Sequence, residues 1–283
     1  MKCSIKDALD QAKGILYKNE IADFERDAEL LLEYCIKLNR AEMLLNKEEI
    51  IPIEKLKIYM ELVSDRANGK PLQYITRVQE FMGLPFMVDE NTLIPRRETE
   101  ELVELALEII KEPMLIMDIG TGSGCIPISI AALNKNAECI AIDYSKKALE
   151  IAKKNGINNN VSKRVKWIYS DLFNNISMEY YNAVDIIISN PPYIRSEVVD
   201  TLMKEVKDYE PRMALDGGKD GLDFYRKIII QAKKFLKKGG HICFEIGYDQ
   251  KNEIEELLIE NQYNNIRCKK DLSGLDRMII AQN

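Results

Sequence analysis

Within residues 1–73, apolar side chains recur at helical spacing. Ile5, Ala8, Leu9, Ala12, Ile15 and Leu16 share one face of a helix whose other face carries lysines and aspartates. The period returns through Ala28, Leu31, Leu32, Cys35 and Leu38, and again through Leu56, Tyr59, Met60, Val63 and Ala67. Gly69 marks a stop and Pro71 bars continuation of the last helix. Residues 1–73 are therefore expected to form a small helical bundle, with no evident catalytic constellation. Between 74 and 95 the period shortens. Phe81-Met82 and Phe86-Met87-Val88 flank Gly83-Leu84-Pro85, which predicts a β-hairpin connector. After Pro95 a charged helix starts near Thr99-Glu100-Glu101-Leu102 and stops near Pro113.

From Met114 onward, short apolar runs alternate with amphipathic helical stretches. The runs lie at 115–119, 138–143, 164–169, 184–189 and 241–246, with a last pair near 264–270 and 277–282. Such alternation predicts a doubly wound α/β domain over 96–283, built on a mostly parallel sheet with helices on both faces.

Composition adds few constraints. The formal net charge is −6, and neither half of the chain carries a basic excess, which argues against naked nucleic acid as the main partner. Cys3, Cys35, Cys125, Cys139, Cys243 and Cys268 are scattered singly, without the paired spacing of a zinc site or a disulfide framework. There is no uninterrupted apolar run of membrane-spanning length, and the first residues lack a secretory pattern. A cytoplasmic protein is expected, with no metal and no membrane partner, and a monomer is the default expectation. The lone His241 enters a strand after Gly239-Gly240 and is assigned no catalytic duty.

Asp118-Ile119-Gly120-Thr121-Gly122-Ser123-Gly124 follows the first of these strands and opens a helix. That places free backbone N–H groups and a turn without side chains at the carboxyl edge of the sheet, where α/β domains bind ligands. The glycines are spaced GxGxG, and Cys125 takes the next place, so the dinucleotide fingerprint is incomplete. Asp143 ends the next strand, where a ribose diol would need a carboxylate acceptor; the alternative is a helix cap before Ser145. Asp118 can orient the loop amides or meet a ligand ammonium, a cation that dinucleotides lack. At the end of the third strand, Asp171 can accept from an adenine amine while Leu172 packs on the ring; the alternative is an ordinary polar loop. Together these features point to S-adenosylmethionine, with Asp118, Gly120, Thr121, Gly122, Ser123, Gly124, Asp143, Asp171 and Leu172 as cofactor-binding candidates.

The fourth strand runs into Asn190-Pro191-Pro192-Tyr193. Two prolines fix φ and remove two N–H donors, so the carbonyls of this corner are expected to face outward without competing internal bonds. An amide nitrogen is a poor nucleophile because its lone pair is delocalised. An NH2 group offers two donors, which the Asn190 side-chain oxygen and the Pro191 carbonyl can accept, leaving the nitrogen aimed at a methyl donor. Tyr193 offers a face for a planar amide or base. Asn190, Pro191, Pro192 and Tyr193 are thus the catalytic and substrate-binding candidates. The bland alternative is a proline-rich turn that ends a strand.

At these residues the sequence resembles the HemK/PrmC family of protein-(glutamine-N5) methyltransferases. The likeness also covers Pro71-Leu72-Gln73-Tyr74-Ile75, Leu93-Ile94-Pro95-Arg96, Glu98-Thr99-Glu100, Glu210-Pro211, Ala214-Leu215-Asp216-Gly217-Gly218, Asp220-Gly221-Leu222 and Phe244-Glu245-Ile246-Gly247. The resemblance implies a class I (Rossmann-like) S-adenosylmethionine-dependent methyltransferase domain, joined by the hairpin to a substrate-recognition bundle. It implies methylation of the Gly-Gly-Gln glutamine of class I peptide chain release factors, and cofactor contacts at Gly120 to Gly124, Asp143, Leu172 and Asn190. Asn-Pro-Pro-Tyr alone is shared with adenine-N6 DNA methyltransferases, which supply the alternative. A non-catalytic binding module is the third reading, disfavoured by the intact Gly120 to Gly124, Asp143 and Asn190. The long connection from Arg195 to Leu222 is expected to belong to the protein-substrate surface or to be a solvated insertion. Arg96, Glu98 and Glu100 either cover the cofactor or face water.

Overall fold

The computed structural model describes residues 3–283. The chain divides into two compact units, one of residues 1–77 with 203–209 and one of residues 78–202 with 210–283.

The first unit is helical: α1 (Ile5–Lys18), α2 (Phe24–Ile36), α3 (Arg40–Leu45), α4 (Ile53–Ala67) and α5 (Leu72–Thr76). Ser4 and Asn39 start α1 and α3 with reciprocal capping boxes to Asp7 and Glu42. The predicted faces are the buried ones, since Ala8, Ala12, Leu16, Ala28, Leu31, Leu32, Tyr59 and Val63 pack into one core. Pro71 does more than end α4, because it also precedes the first turn of α5, where a missing N–H costs nothing. Arg66 lies in the core of this unit and donates to Asp27 at 2.6 Å and to Glu205 at 2.7 Å.

The second unit opens with a hairpin, β1 (Val78–Phe81) and β2 (Leu84–Met87). Its turn residues Met82 and Gly83 both have positive φ, the tight geometry that suits the twist of paired strands. Phe81 and Phe86 pack into the same core as α6 (Arg97–Ile109), so the hairpin belongs to this unit. The elements that follow are β3 (Met114–Ile119), α7 (Cys125–Leu133), β4 (Ala137–Asp143), α8 (Lys146–Asn158), β5 (Val165–Tyr169) and β6 (Val184–Ser189). After β6 come α9 (Ser196–Val199), α10 (Lys204–Lys207), α11 (Asp223–Ala232), β7 (Leu236–Glu245), α12 (Lys251–Glu260), β8 (Asn264–Lys270) and β9 (Asp276–Gln282).

The sheet is seven-stranded, in the order β5-β4-β3-β6-β7-β9-β8. Neighbours from β5 to β7 run parallel, whereas β9 is antiparallel to both β7 and β8. The order reverses between β3 and β6, the place where such sheets open a ligand crevice at their carboxyl ends. Ile187 faces one apolar layer, and Ile186 and Ile188 face the other, so β6 is buried on both sides, as its unbroken apolar run requires. The fold is a doubly wound α/β domain with a mixed sheet, as the strand pattern predicts apart from the antiparallel β9.

One strand begins earlier than its pattern suggests. β7 starts at Leu236, because that residue pairs with Val184 across a bulge before the register resumes at Ile186 and His241. The Lys-Lys-Gly-Gly stretch hides this pairing.

Candidate functional site

The crevice beside the β3–β6 boundary is a cavity of about 350 Å³. Three strand ends build it. From β3 come Ile119, Gly120 and Gly122; from β4, Ile142, Asp143 and Tyr144; from β6, Ser189, Asn190, Pro191 and Pro192. Ser170, Asp171 and Leu172 close the β5 side, and Asn91 to Leu93, Met213, Asp216, Phe224 and Lys227 form the remaining wall.

The glycine turn is shaped for a ligand. Gly120 and Gly122 have φ of +76° and +55°, and a Cβ at either would meet nothing within 4 Å. Side chains there would be strained and would stand in the cavity, so the glycines keep that space open. The N–H groups expected to be free are taken up within the protein, since Gly120 and Thr121 both donate to the Ile142 carbonyl at 2.9 Å and Gly122 donates to Asp143. Gly124 differs, since a Cβ would lie 2.9 Å from Ile128 Cδ1 and 3.1 Å from Ala152 Cβ; it lets α7 and α8 pack. Buried Asn155 ties the turn down by donating to the Ser123 carbonyl at 2.9 Å while exchanging two hydrogen bonds with the Met87 backbone.

Asp143 both lines the cavity and holds its rim. Its Oδ2 accepts from Gly122 N at 2.8 Å and its Oδ1 from Ser145 N at 2.7 Å, and Ser145 itself caps α8. Each carboxylate oxygen keeps a second lone pair for a ligand hydroxyl. Leu172 reaches the wall from a backbone φ of +47°, a sparsely populated region for a leucine.

Asn190-Pro191-Pro192-Tyr193 leaves β6 as a braced corner. Ser189 donates to the Ile119 carbonyl at 2.6 Å, which fastens the β6 end to β3. Ile194 pairs with Leu215 and Gly217 through backbone bonds of 3.0 and 2.8 Å. A Cβ on Gly217 would fall 2.7 Å from the Pro192 carbonyl oxygen, so the Asp216-Gly217-Gly218 loop lies directly against the corner. Among the described residues no backbone N–H donates to the Pro191 carbonyl. The expectation of free carbonyls does not extend to Tyr193, whose carbonyl accepts from Gln250 Nε2 at 3.0 Å because Gln250 folds back against the corner.

Behind the corner, Asn190 Nδ2 donates to Thr99 Oγ1 at 3.1 Å, and the Thr99 hydroxyl donates to Glu245 Oε2 at 2.6 Å. The Tyr193 hydroxyl donates to the other Glu245 oxygen at 3.3 Å, and the residue is not part of the cavity wall.

Two family models match the chain: the PrmC N-terminal domain over residues 7–76 and a methyltransferase domain over residues 110–278. A release factor glutamine methyltransferase of Clostridium botulinum is 43% identical over 280 residues, covering 98% of this chain and 99% of that protein. This chain belongs to the release factor glutamine methyltransferase family. The member from Clostridium acetobutylicum is 41% identical, covering 98% of both chains. In fold, the chain is also like the catalytic domain of hMettl16, with a TM-score of 0.58, 20% identity, and coverage of 79% of this chain and 80% of that one.

Within this family member, the cavity wall gathers Gly120, Gly122, Asp143, Asp171, Leu172, Asn190, Pro191 and Pro192 of the residues singled out from sequence. Thr121, Ser123 and Gly124 lie in the turn but off the wall, as do Asp118 and Tyr193. Asp118 is fully buried, with neither carboxylate oxygen hydrogen-bonded among the described residues; Thr121 Oγ1 and Ser123 Oγ share that state. Burial pushes the Asp118 carboxyl up to about 7, against the opposing pull of the nearby Thr121 hydroxyl. Glu245 is likewise pushed up to about 7 by burial, opposed by the Thr99 hydrogen bond and the Arg277 charge. Arg96 donates to Glu210 at 2.5 Å and Glu100 accepts from Met82 N at 2.6 Å, so both serve the fold of the catalytic unit. Tyr144, Phe224 and Lys227 also line the cavity, and no motif in the sequence signals them.

The two raised carboxyls have a consequence for stability. In the unfolded chain such groups ionise near 4, whereas in the folded protein they hold protons up to about 7. Their contribution to stability is thus complete below about pH 4 and is lost as the pH rises through 7. Each group makes stability fall by about 1 kcal/mol per pH unit between pH 5 and 7. Urea unfolding of Asp118→Asn across pH 5–8 should show a flatter pH dependence than the unaltered protein. Parallel curves would remove Asp118 as a titrating group in that range.

Proposed function

We propose that this chain transfers a methyl group from S-adenosylmethionine to the side-chain amide nitrogen of the Gly-Gly-Gln glutamine in class I peptide chain release factors, and so supports translation termination. One observation carries this reading. Asn190 and Pro191 stand on the wall of the same cavity as the bare glycine turn and Asp143, so a nucleophile clamp and a nucleoside site face one space.

The residues present fit the methyl donor. Gly120 and Gly122 leave room, Asp143 offers acceptors for ribose hydroxyls, and Asp171 and Leu172 suit the adenine edge and face. Beneath the turn, the Asp118 oxygens lack donors, which a ligand ammonium carries. S-adenosylmethionine, when bound, supplies a methyl group made electrophilic by the sulfonium to which it is attached. Asn190 Oδ1 and the Pro191 carbonyl accept the two hydrogens of the glutamine NH2, fix its plane and leave its lone pair toward the donor side. Alignment of this kind reaches effective molarities of roughly 10⁵–10⁸ M, so no general base is needed in the chain. The proton released after transfer passes to water. Pro191 and Pro192 keep the corner stiff, and Tyr193 braces it through Glu245.

The helical unit, residues 1–73 in the sequence-based division, is assigned to recognition of the release factor, with 74–95 as connector and 96–283 as the catalytic domain. The PrmC N-terminal match supports that assignment. The protein is taken to act as a cytoplasmic monomer without direct contact to nucleic acid. The net charge of −6 supports the last point. Among the described residues no helix is long and apolar enough to cross a membrane.

The test is to incubate the protein with labelled S-adenosylmethionine and either a purified release factor or DNA. Label is expected in the release factor, on the peptide that holds its Gly-Gly-Gln glutamine. Label in DNA alone would favour an adenine-N6 methyltransferase, and no donor binding at all would favour a non-catalytic module.

A further inference from the structure

The Asn190 amide is useful only one way round. Its oxygen must face the incoming NH2, because the flipped amide would set donor against donor. Asparagine itself has little preference, since its oxygen and nitrogen ends are nearly the same size and shape. The choice is made behind the corner. Thr99 Oγ1 lies 3.1 Å from Asn190 Nδ2 and 2.6 Å from Glu245 Oε2. A hydroxyl has one proton. With Glu245 ionised, above about pH 7, that proton goes to the carboxylate in the shorter bond and Thr99 accepts from Asn190, so the amide nitrogen turns inward and Oδ1 is left for the cavity side.

Three features make this arrangement firm. Thr99 and Glu245 are each 2% exposed, so water does not compete for the hydroxyl. Glu245 ends β7 and is held from two further elements: Tyr193 donates to its Oε1, and the Tyr225 hydroxyl of α11 donates to its backbone carbonyl at 2.7 Å. Thr99 sits in the first turn of α6, whose Glu100 is bonded to the hairpin at Met82. The relay therefore joins α6, β7 and the β6 corner, and no member of it is free to turn.

We propose that Thr99 and Glu245 are positioning residues for methyl transfer, which lock the Asn190 amide with its acceptor oxygen toward the substrate and thereby select an NH2 nucleophile over a carboxylate. The inference rests on the amide clamp proposed above. A glutamate in place of the substrate glutamine offers no hydrogens to Oδ1 or to the Pro191 carbonyl, so a locked corner refuses it.

Thr99→Val and Thr99→Ser test the relay. Valine keeps the shape and removes the hydroxyl, whereas serine keeps the hydroxyl. Steady-state methylation of a release factor is measured for both variants, with calorimetry of S-adenosylmethionine binding alongside. Thr99→Val should lower kcat about ten- to hundredfold, with the KM for the methyl donor and its binding heat near those of the unaltered protein. Thr99→Ser should recover most of the lost rate. If Thr99→Val loses its binding heat through misfolding, Thr99→Ala replaces it with the same expectations. Equal rates for Thr99→Val and the unaltered protein, or equal losses in the valine and serine variants, would overturn the relay. An unaltered protein that transfers no methyl to the release factor would remove the clamp, and the relay with it.

Discussion

Asn190→Ala is expected to lower the rate of methyl transfer to a release factor by about 10²–10³-fold, the usual cost of removing one preorganised group from a polar transition-state site. The substitution removes one of two acceptors for the glutamine NH2. It also strips Thr99 of the amide that donates to it at 3.1 Å. The remaining acceptor, the Pro191 carbonyl, then holds the nitrogen by one hydrogen and lets it swing. Gly120, Gly122 and Asp143 are untouched, so calorimetry should still register the methyl donor. A loss confined to kcat, with donor binding retained, separates a failed clamp from a failed nucleoside site. Undiminished transfer would remove Asn190 from the chemistry.

Asp143→Ala should produce the opposite division. The carboxylate is bonded to Gly122 N and Ser145 N, so its removal deprives a ribose of its acceptor and frees the rim of the glycine turn at once. Hydrogen bonds to a charged group contribute about 1.5–3 kcal/mol each, so the Kd for S-adenosylmethionine should rise roughly ten- to hundredfold. The change is expected mainly in the KM for the donor. Asp143→Asn keeps acceptors and should lose less. An unchanged Kd in Asp143→Ala would assign this residue to the fold alone.

The parts of this protein that were legible in the sequence are those whose chemistry is local. A glycine turn, an acidic strand end and Asn190-Pro191-Pro192-Tyr193 each announce themselves within a few residues, because backbone conformation and hydrogen-bond inventory dictate which side chains can stand there. The strand runs were legible for the same reason, since burial on both faces leaves an unbroken apolar signature. What joins these parts was not. Thr99 and Glu245 lie 146 positions apart in the chain, and nothing in either segment signals that one hydroxyl meets one carboxylate at 2.6 Å. Gly217 looks like a loop glycine until its missing Cβ is seen to make room for the Pro192 carbonyl. Nor does the alternation of polar and apolar residues reveal that 203–209 groups with the helical unit while its flanks belong to the catalytic one. Tyr193 shows the limit from the other side. Its ring is expected against the substrate, and the sequence gives no sign that its hydroxyl also meets Glu245 and braces the corner.

A crystal structure of the protein with S-adenosylhomocysteine and a glutamine-bearing release-factor peptide would test the account most directly. The glutamine amide nitrogen should lie within hydrogen-bonding distance of both Asn190 Oδ1 and the Pro191 carbonyl, with the thioether sulfur on its far side. A glutamine seated elsewhere, or an Asn190 amide that presents Nδ2 to it, would contradict the account.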